Sequence, residues 1–141
     1  MRVGLVASRF NEEITQKLLE RAKAAAKELG VASLTVEQVP GALEIPLALQ
    51  WMAQSGKFDA LVAVGCVIRG DTFHFDVVAS ESARGVMDVA LEFGLPVGNG
   101  ILTTEDEKQA LARLDKGAEA LRAAVEMARL HERIRSGERA R

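Results

Sequence analysis

A single α/β domain, built as a three-layer sandwich around a short parallel sheet, is the fold class this sequence predicts. Three observations carry it. Short apolar runs alternate with stretches of helical spacing along the chain. Each run is strand-sized and is followed by a helix-sized segment, the pattern of parallel strands joined by right-handed crossovers. The length of 141 residues, 48% of them hydrophobic, suits one domain with a sizeable core.

The elements follow in order. Val3 to Ala7 is an uncharged run, suited to a strand buried on both faces. Glu12 to Leu29 sets Ile14, Leu18, Leu19, Ala22, Ala25, Ala26 and Leu29 on one side of a helix, with Asn11 as a candidate cap and Gly30 as its stop. Leu34 to Val39 alternates apolar and polar residues as a second strand does. Pro40 and Gly41 break it, and Pro46 opens a helix running to about Gln54. Phe58 to Cys66 gives the third strand. Thr72 to Phe93 is a long helix with Val77, Val78, Ser82, Val86, Val89 and Ala90 inward, stopped by Gly94 and Pro96. Val97 to Leu102 gives the fourth strand, followed by helices from about Glu105 to Arg113 and Lys116 to Ile134. One domain over residues 1–141 is expected, with Arg133 to Arg141 as a solvated basic tail.

Composition excludes several function classes. A net charge of −2 and 4% aromatic content give no nucleic-acid signal. The apolar runs are short and interrupted by charge, so no membrane-spanning helix is expected. The single cysteine, Cys66, cannot form an intrachain disulfide and fits a reducing, cytoplasmic location. Strand-like sequence begins at Arg2, so no leader is expected before it. One cysteine and two distant histidines, without HExxH or CxxC spacing, leave no metal site to expect. Neither GxxxxGK[ST] nor GxGxxG occurs, so nucleotide binding of those types is unsupported.

Ligands of open parallel sheets bind beyond the carboxyl ends of the strands. Three polar clusters stand there: Ser8 to Asn11 after the first strand, Pro40 to Glu44 after the second, and Arg69 to His74 after the third. The last is the most informative. A strand-to-helix turn offers free backbone N–H groups to an anion, and His74 stands beside it as a candidate general acid–base. A structural reading of His74, bonded to a carbonyl or to Asp76, competes with the catalytic one; the adjoining anion loop favours catalysis. Asp71 and Thr72 read as helix caps and as phosphate loop alike, with the backbone rather than the Asp71 carboxylate facing the anion. Phe10 is either a core residue or an exposed ring for a heterocycle. Glu44, inside an apolar run, is either solvated or aimed at ligand hydroxyls. Arg113 and Lys116 are expected on helix-dipole grounds alone, and Arg69 as a loop ion pair. Cys66 reads as a small buried filler, and Trp51 as core or subunit contact.

Taken together, SRFN at Ser8 to Asn11, VPGALEIP at Val39 to Pro46, GCVIRGDTFHFD at Gly65 to Asp76, SESARGVMD at Ser80 to Asp88, GNGILTTEDEKQALAR at Gly98 to Arg113 and DKGAEAL at Asp115 to Leu121 resemble the lumazine synthase (6,7-dimethyl-8-ribityllumazine synthase) family. The resemblance covers nearly the whole chain. It implies a flavodoxin-like, four-stranded α/β/α sandwich. It implies condensation of 5-amino-6-(D-ribitylamino)uracil with 3,4-dihydroxy-2-butanone 4-phosphate, without metal or organic cofactor. His74 would carry protons and Phe10 would stack on the pyrimidine. Asn11 and Glu44 would address the pyrimidine or ribityl side, while Ala42, Leu43, Cys66, Val67 and Ile68 line the pocket. Asp71 and Thr72 would form the phosphate loop, with Arg113 as phosphate-binding arginine and Lys116 at the end of the pocket. Implied partners are copies of the chain in a homopentamer whose pockets lie between neighbours, one chain giving the Phe10, Glu44 and His74 side and the next the Arg113 side, with a larger icosahedral shell and riboflavin synthase beyond it.

The chain departs from the family's pattern at three places. Asn99 stands where a pocket phenylalanine is common. Only Leu114 and Asp115 separate Arg113 from Lys116, where the family usually has a longer, glycine-rich stretch. The family's usual segment before the first strand, which adds to a neighbour's sheet, is not in this sequence. Two other classes remain open at this point: a non-catalytic flavin or lumazine binder, and a shell-forming protein on the same fold.

Overall fold

The computed structural model of the chain describes residues 1–137. It contains β1 (Arg2–Ser8), α1 (Glu12–Glu28), β2 (Ser33–Val39), a 3₁₀ turn (Ala42–Glu44), α2 (Ile45–Ser55), β3 (Ala60–Ile68), α3 (His74–Phe93), β4 (Val97–Thr104), α4 (Glu107–Leu111) and α5 (Lys116–Ser136). The four strands form one parallel sheet in the order β2-β1-β3-β4. That order is the flavodoxin-like one, with a switch point where the chain leaves β1 toward β2 and returns through β3.

Alternation across the strands divides the core into two layers. Val3, Leu5 and Ala7 of β1 join Val62 and Val64 of β3 under α1 and α5. Val6, Leu61 and Ala63 face the other way, under α2 and α3 with Ile45, Leu49, Val78 and Val86. β1 and β3 are buried on both faces, as central parallel strands must be. β2 is a half-buried edge, which explains its alternating sequence. Glycine lets α5 approach closely. A Cβ at Gly98 would overlap the Ala120 carbonyl, and one at Gly117 would overlap the Leu18 carbonyl of α1.

Several boundaries differ from the expected ones, each for a local reason. β3 starts at Ala60 rather than Phe58 and runs on through Ile68, because Arg69 N–H still bonds Thr104 O at 2.9 Å. α3 starts at His74 rather than Thr72, because the Thr72 hydroxyl accepts the His74 N–H at 3.3 Å ahead of the helix. β4 extends to Thr104, and α4 is only Glu107–Leu111, since Asp106 caps it by accepting from Gln109 N–H at 2.8 Å. Arg113 therefore lies beyond α4, in a tight turn closed by Lys116 N–H on Arg113 O at 3.1 Å. Val77 is exposed rather than inward, and Trp51, 62% exposed, is not core. α5 continues through Ser136, so the first residues of the expected tail are helical; residues 138–141 lie outside the described part. No described helix is long and apolar enough to cross a membrane.

Candidate active site

The switch point brings two loops together. After β1, Arg9 N–H bonds Val39 O at 2.8 Å and Phe10 N–H bonds Pro40 O at 3.2 Å, so this loop runs beside the end of β2. Asn11 then turns the chain into α1 with φ +56°, the one non-glycine residue at positive φ among those described. Asparagine tolerates this region better than most residues. Its side chain does not cap α1 as expected. Instead Nδ2 donates to Cys66 O at 2.9 Å, tying the β1 loop to the end of β3. The turn leaves the Phe10 ring 68% exposed, so its core reading is excluded.

The second loop is closed by Glu44 N–H on Gly41 O at 3.2 Å. Ala42 is buried, while Leu43 and Glu44 are exposed. A Cβ at Gly41 would stand 3.1 Å from Glu44 Oε1, so glycine leaves room for the carboxylate to fold over the loop. The third loop, Arg69 to Phe73, delivers His74 as the first residue of α3. The imidazole is exposed, and no described residue hydrogen-bonds or ion-pairs with it.

Between these loops lies a cavity of about 460 Å³. Phe10, Ala42, Leu43 and Glu44 line it from one side, and Cys66, Val67, Ile68, Thr72 and His74 from the other. Gly41, Gly70, Phe75 and Val78 complete the wall; the two glycines belong to the expected strand-end clusters, while Phe75 and Val78 were not among the expected site residues. Phe75 and Val78 carried a legible signal, since both are apolar residues of the first turns of a helix starting at a ligand loop. Burial pushes the Cys66 thiol up to about 11, with Glu107 adding a smaller push in the same direction. It is thus a neutral wall residue at ordinary pH, not a nucleophile.

The remaining expected residues stand elsewhere. Asn11 acts from behind the wall through Cys66 O, and Asp71 is exposed without lining the cavity. Arg113 and Lys116 line a second cavity of about 490 Å³ beside β4, which shares no lining residue with the first. Arg113 Nη1 donates to Gln109 O at 2.8 Å, and the nearby Asp115 carboxylate pairs with Arg21 at 3.5 Å and Arg122 at 3.8 Å. Asn99 joins neither cavity. It is exposed on β4, and its Oδ1 accepts the Ile101 N–H at 2.9 Å.

Chemically, the first cavity pairs an exposed ring and a carboxylate with an imidazole beside an amide-rich turn. That set suits an aromatic, hydroxyl-bearing ligand next to a proton-transfer centre, while the cations suited to an anion collect in the second cavity. Comparison with known proteins agrees. The sequence profile described as 6,7-dimethyl-8-ribityllumazine synthase matches residues 1–132. The chain is 53% identical over 133 residues to a 6,7-dimethyl-8-ribityllumazine synthase of Azoarcus sp. (strain BH72), covering 92% of this chain and 85% of that protein. It is 51% identical over 138 residues to the protein so named in Chromobacterium violaceum, covering 96% and 89%. For Nitrosomonas europaea the identity is 54% over 131 residues, covering 91% and 80%. On a match of this extent, joined to a site with these residues in these places, the chain belongs to the 6,7-dimethyl-8-ribityllumazine synthase family.

Proposed function

We propose that this chain is the transferase that condenses 5-amino-6-(D-ribitylamino)uracil with 3,4-dihydroxy-2-butanone 4-phosphate to 6,7-dimethyl-8-ribityllumazine in riboflavin biosynthesis, and that the His74 cavity is where it does so. The observation that carries the reading of the site is the convergence of Phe10, Glu44 and His74 on one cavity at the β1/β3 switch point.

In this reading Phe10 stacks on the pyrimidine, and Glu44 addresses its ribityl or ring polar groups. Asn11 serves indirectly, by fixing Cys66 O. Ala42, Leu43, Cys66, Val67 and Ile68 shape the pocket wall. The turn of Asp71 and Thr72 meets the phosphate through backbone groups, the Asp71 carboxylate turned away. The amine of the pyrimidine attacks the ketone and water leaves, giving an imine. Loss of a proton and departure of phosphate follow, and the second nitrogen closes the ring with loss of another water. Each step moves a proton, and His74 serves by alternating as base and acid. Holding both substrates in one cavity supplies much of the remaining acceleration.

The phosphate-side residues Arg113 and Lys116, with Asn99 on the same strand edge, belong to the half offered to a neighbouring copy. Two facts support a homopentamer with shared sites. The His74 and Arg113 cavities of one chain have no wall in common. And α3 exposes Val77, Met87 and Leu91, an apolar face that a second chain would cover. A larger shell, association with riboflavin synthase and a cytoplasmic location belong to the same reading; the free Cys66 fits a reducing compartment.

The test is incubation of the folded protein with both substrates while lumazine absorbance is followed. Turnover is expected, and its absence overturns the reading. His74→Ala should lower kcat by about 10²- to 10⁴-fold, the usual worth of a general acid–base. An unchanged rate would remove His74 from that role.

A further inference from the structure

We propose that Arg69 is a positioning residue of this site, a clamp that fixes the loop delivering Thr72 and His74. Its backbone N–H bonds Thr104 O at 2.9 Å, which anchors it at the ends of β3 and β4. Its guanidinium then meets three side chains. Nε donates to Glu105 Oε2 at 2.8 Å, Nη1 lies 3.6 Å from Asp76 Oδ1, and Cζ sits 4.5 Å from the centroid of the Phe75 ring, a wall of the cavity. One planar cation thus joins the β3–α3 loop, the first turn of α3 and the segment after β4. A guanidinium suits this because its fork serves two carboxylates while its face stacks on a ring.

The connection continues toward the other cavity. Glu105 N–H donates to Gln109 Oε1 at 2.8 Å, and Gln109 O accepts from Arg113 Nη1 at 2.8 Å. Arg69 therefore braces the His74 loop against the same segment that holds Arg113. Its charge is already met by Asp76 and Glu105, so it acts on the loop and not on a ligand. The spanned residues, Gly70 to Phe73, are exposed, and a Cβ at Gly70 would meet nothing within 4 Å. Packing does not fix them; the bonds of Thr72 and Phe73 to the first turn of α3 hold one end, and the clamp ties that turn back to β3 and β4. Each pair is solvent-exposed and contributes little to global stability. The effect is on placement.

The kinetic part rests on the reading of the site given above; the structural part does not. In Arg69→Met, native-state hydrogen exchange at the bonded amides of His74, Asp76 and Val77 should quicken by about fivefold or more, with the core unchanged. Under the lumazine assay its kcat should fall about tenfold and the KM for the butanone phosphate should rise, a misplacement effect. The KM for the pyrimidine should stay within about twofold, since Arg69 touches none of its proposed contacts. Arg69→Lys, which keeps the charge and loses the fork, should lie between. Glu105→Gln should repeat the defect, and the double variant should be no worse than Arg69→Met alone. Arg2→Met, which removes an exposed pair with Asp59 at the opposite end of the sheet, should change neither readout. Unchanged exchange at the His74, Asp76 and Val77 amides overturns the proposal whether or not the wild type turns over. So does faster exchange with unchanged kinetics in an active wild type. Absence of turnover in the wild type sinks the assigned reaction instead, and exchange alone then decides the clamp.

Discussion

Ser8 and Gly65 face each other at the floor of the switch point, and their contact sets how closely the loops after β1 and β3 approach. The Ser8 hydroxyl is buried, with 3% of the residue exposed, and none of the described residues bonds it. It occupies the space that Gly65 leaves empty: a Cβ on residue 65 would stand 2.7 Å from Ser8 Oγ and 3.4 Å from Ile45 Cδ1, but 3.6 Å from Ser8 Cβ. Gly65→Ala therefore clashes with one atom, and that atom is removable. Alone it should destabilise by about 1–3 kcal/mol through overpacking. Ser8→Ala alone should stabilise by about 1 kcal/mol, because it removes an unpaired buried hydroxyl. In the double variant the new methyl meets only ordinary van der Waals neighbours, so stability should return to about the wild-type value or above it, with a coupling of about 2 kcal/mol. Urea denaturation of the four proteins at matched concentration measures this cycle. Additivity within about 0.5 kcal/mol would refute the contact. A Ser8→Ala variant weaker than wild type would show that the hydroxyl is satisfied in solution.

Phe10→Ala should shift Tm by less than about 2 °C, since the ring is 68% exposed, yet raise the KM for the pyrimidine by about 5- to 100-fold, the worth of a lost stacking contact. Gly98→Ala and Gly117→Ala, which drive a methyl into the carbonyls of Ala120 and Leu18, should each cost about 3 kcal/mol or more; full stability in urea would refute that packing. Cys66 should resist alkylation. With its thiol pushed from an ordinary 9.0 to about 11, the native thiolate fraction at pH 8 is about a hundredfold below that of the unfolded chain, and labelling should be slower by at least that factor. The linkage has a definite sign. The fold binds this proton more tightly than the unfolded chain does, so the thiol's contribution to stability is full below about pH 9 and is lost as pH rises toward about 11.

The layers were legible because apolar runs and helical spacing respond directly to burial. The α/β class and the strand-end clusters follow from that pattern, and Phe10, Glu44 and His74 do share a cavity. Boundaries were less legible where a side chain competes with the backbone. Thr72 delays α3, and Asp106 shortens α4, each by accepting an N–H that simple periodicity assigns to the helix. Asn11 has the sequence of a cap but spends its amide on Cys66 O, fifty-five positions away, a long-range choice that no local pattern encodes. The close approach at Gly98 and Gly117 was also hidden, since a glycine that admits a neighbouring backbone reads like one that ends an element. Linear order alone does not set Arg113 and Lys116 beside a different cavity from His74; the family resemblance implies it by giving the Arg113 side to a neighbouring chain, and in the fold β4 takes the edge position.

On the reading proposed above, the separation of those two cavities divides the site between molecules. If each working site draws His74 from one chain and Arg113 from the next, two dead variants can repair one another. His74→Ala and Arg113→Ala would each be inactive alone. Unfolded together in equal amounts and reassembled, they would form some interfaces in which an intact histidine faces an intact arginine. With random mixing about one site in four would be whole, half the chains keeping one residue and half their neighbours the other. A chain that housed both groups in its own pocket could never recover activity in this way.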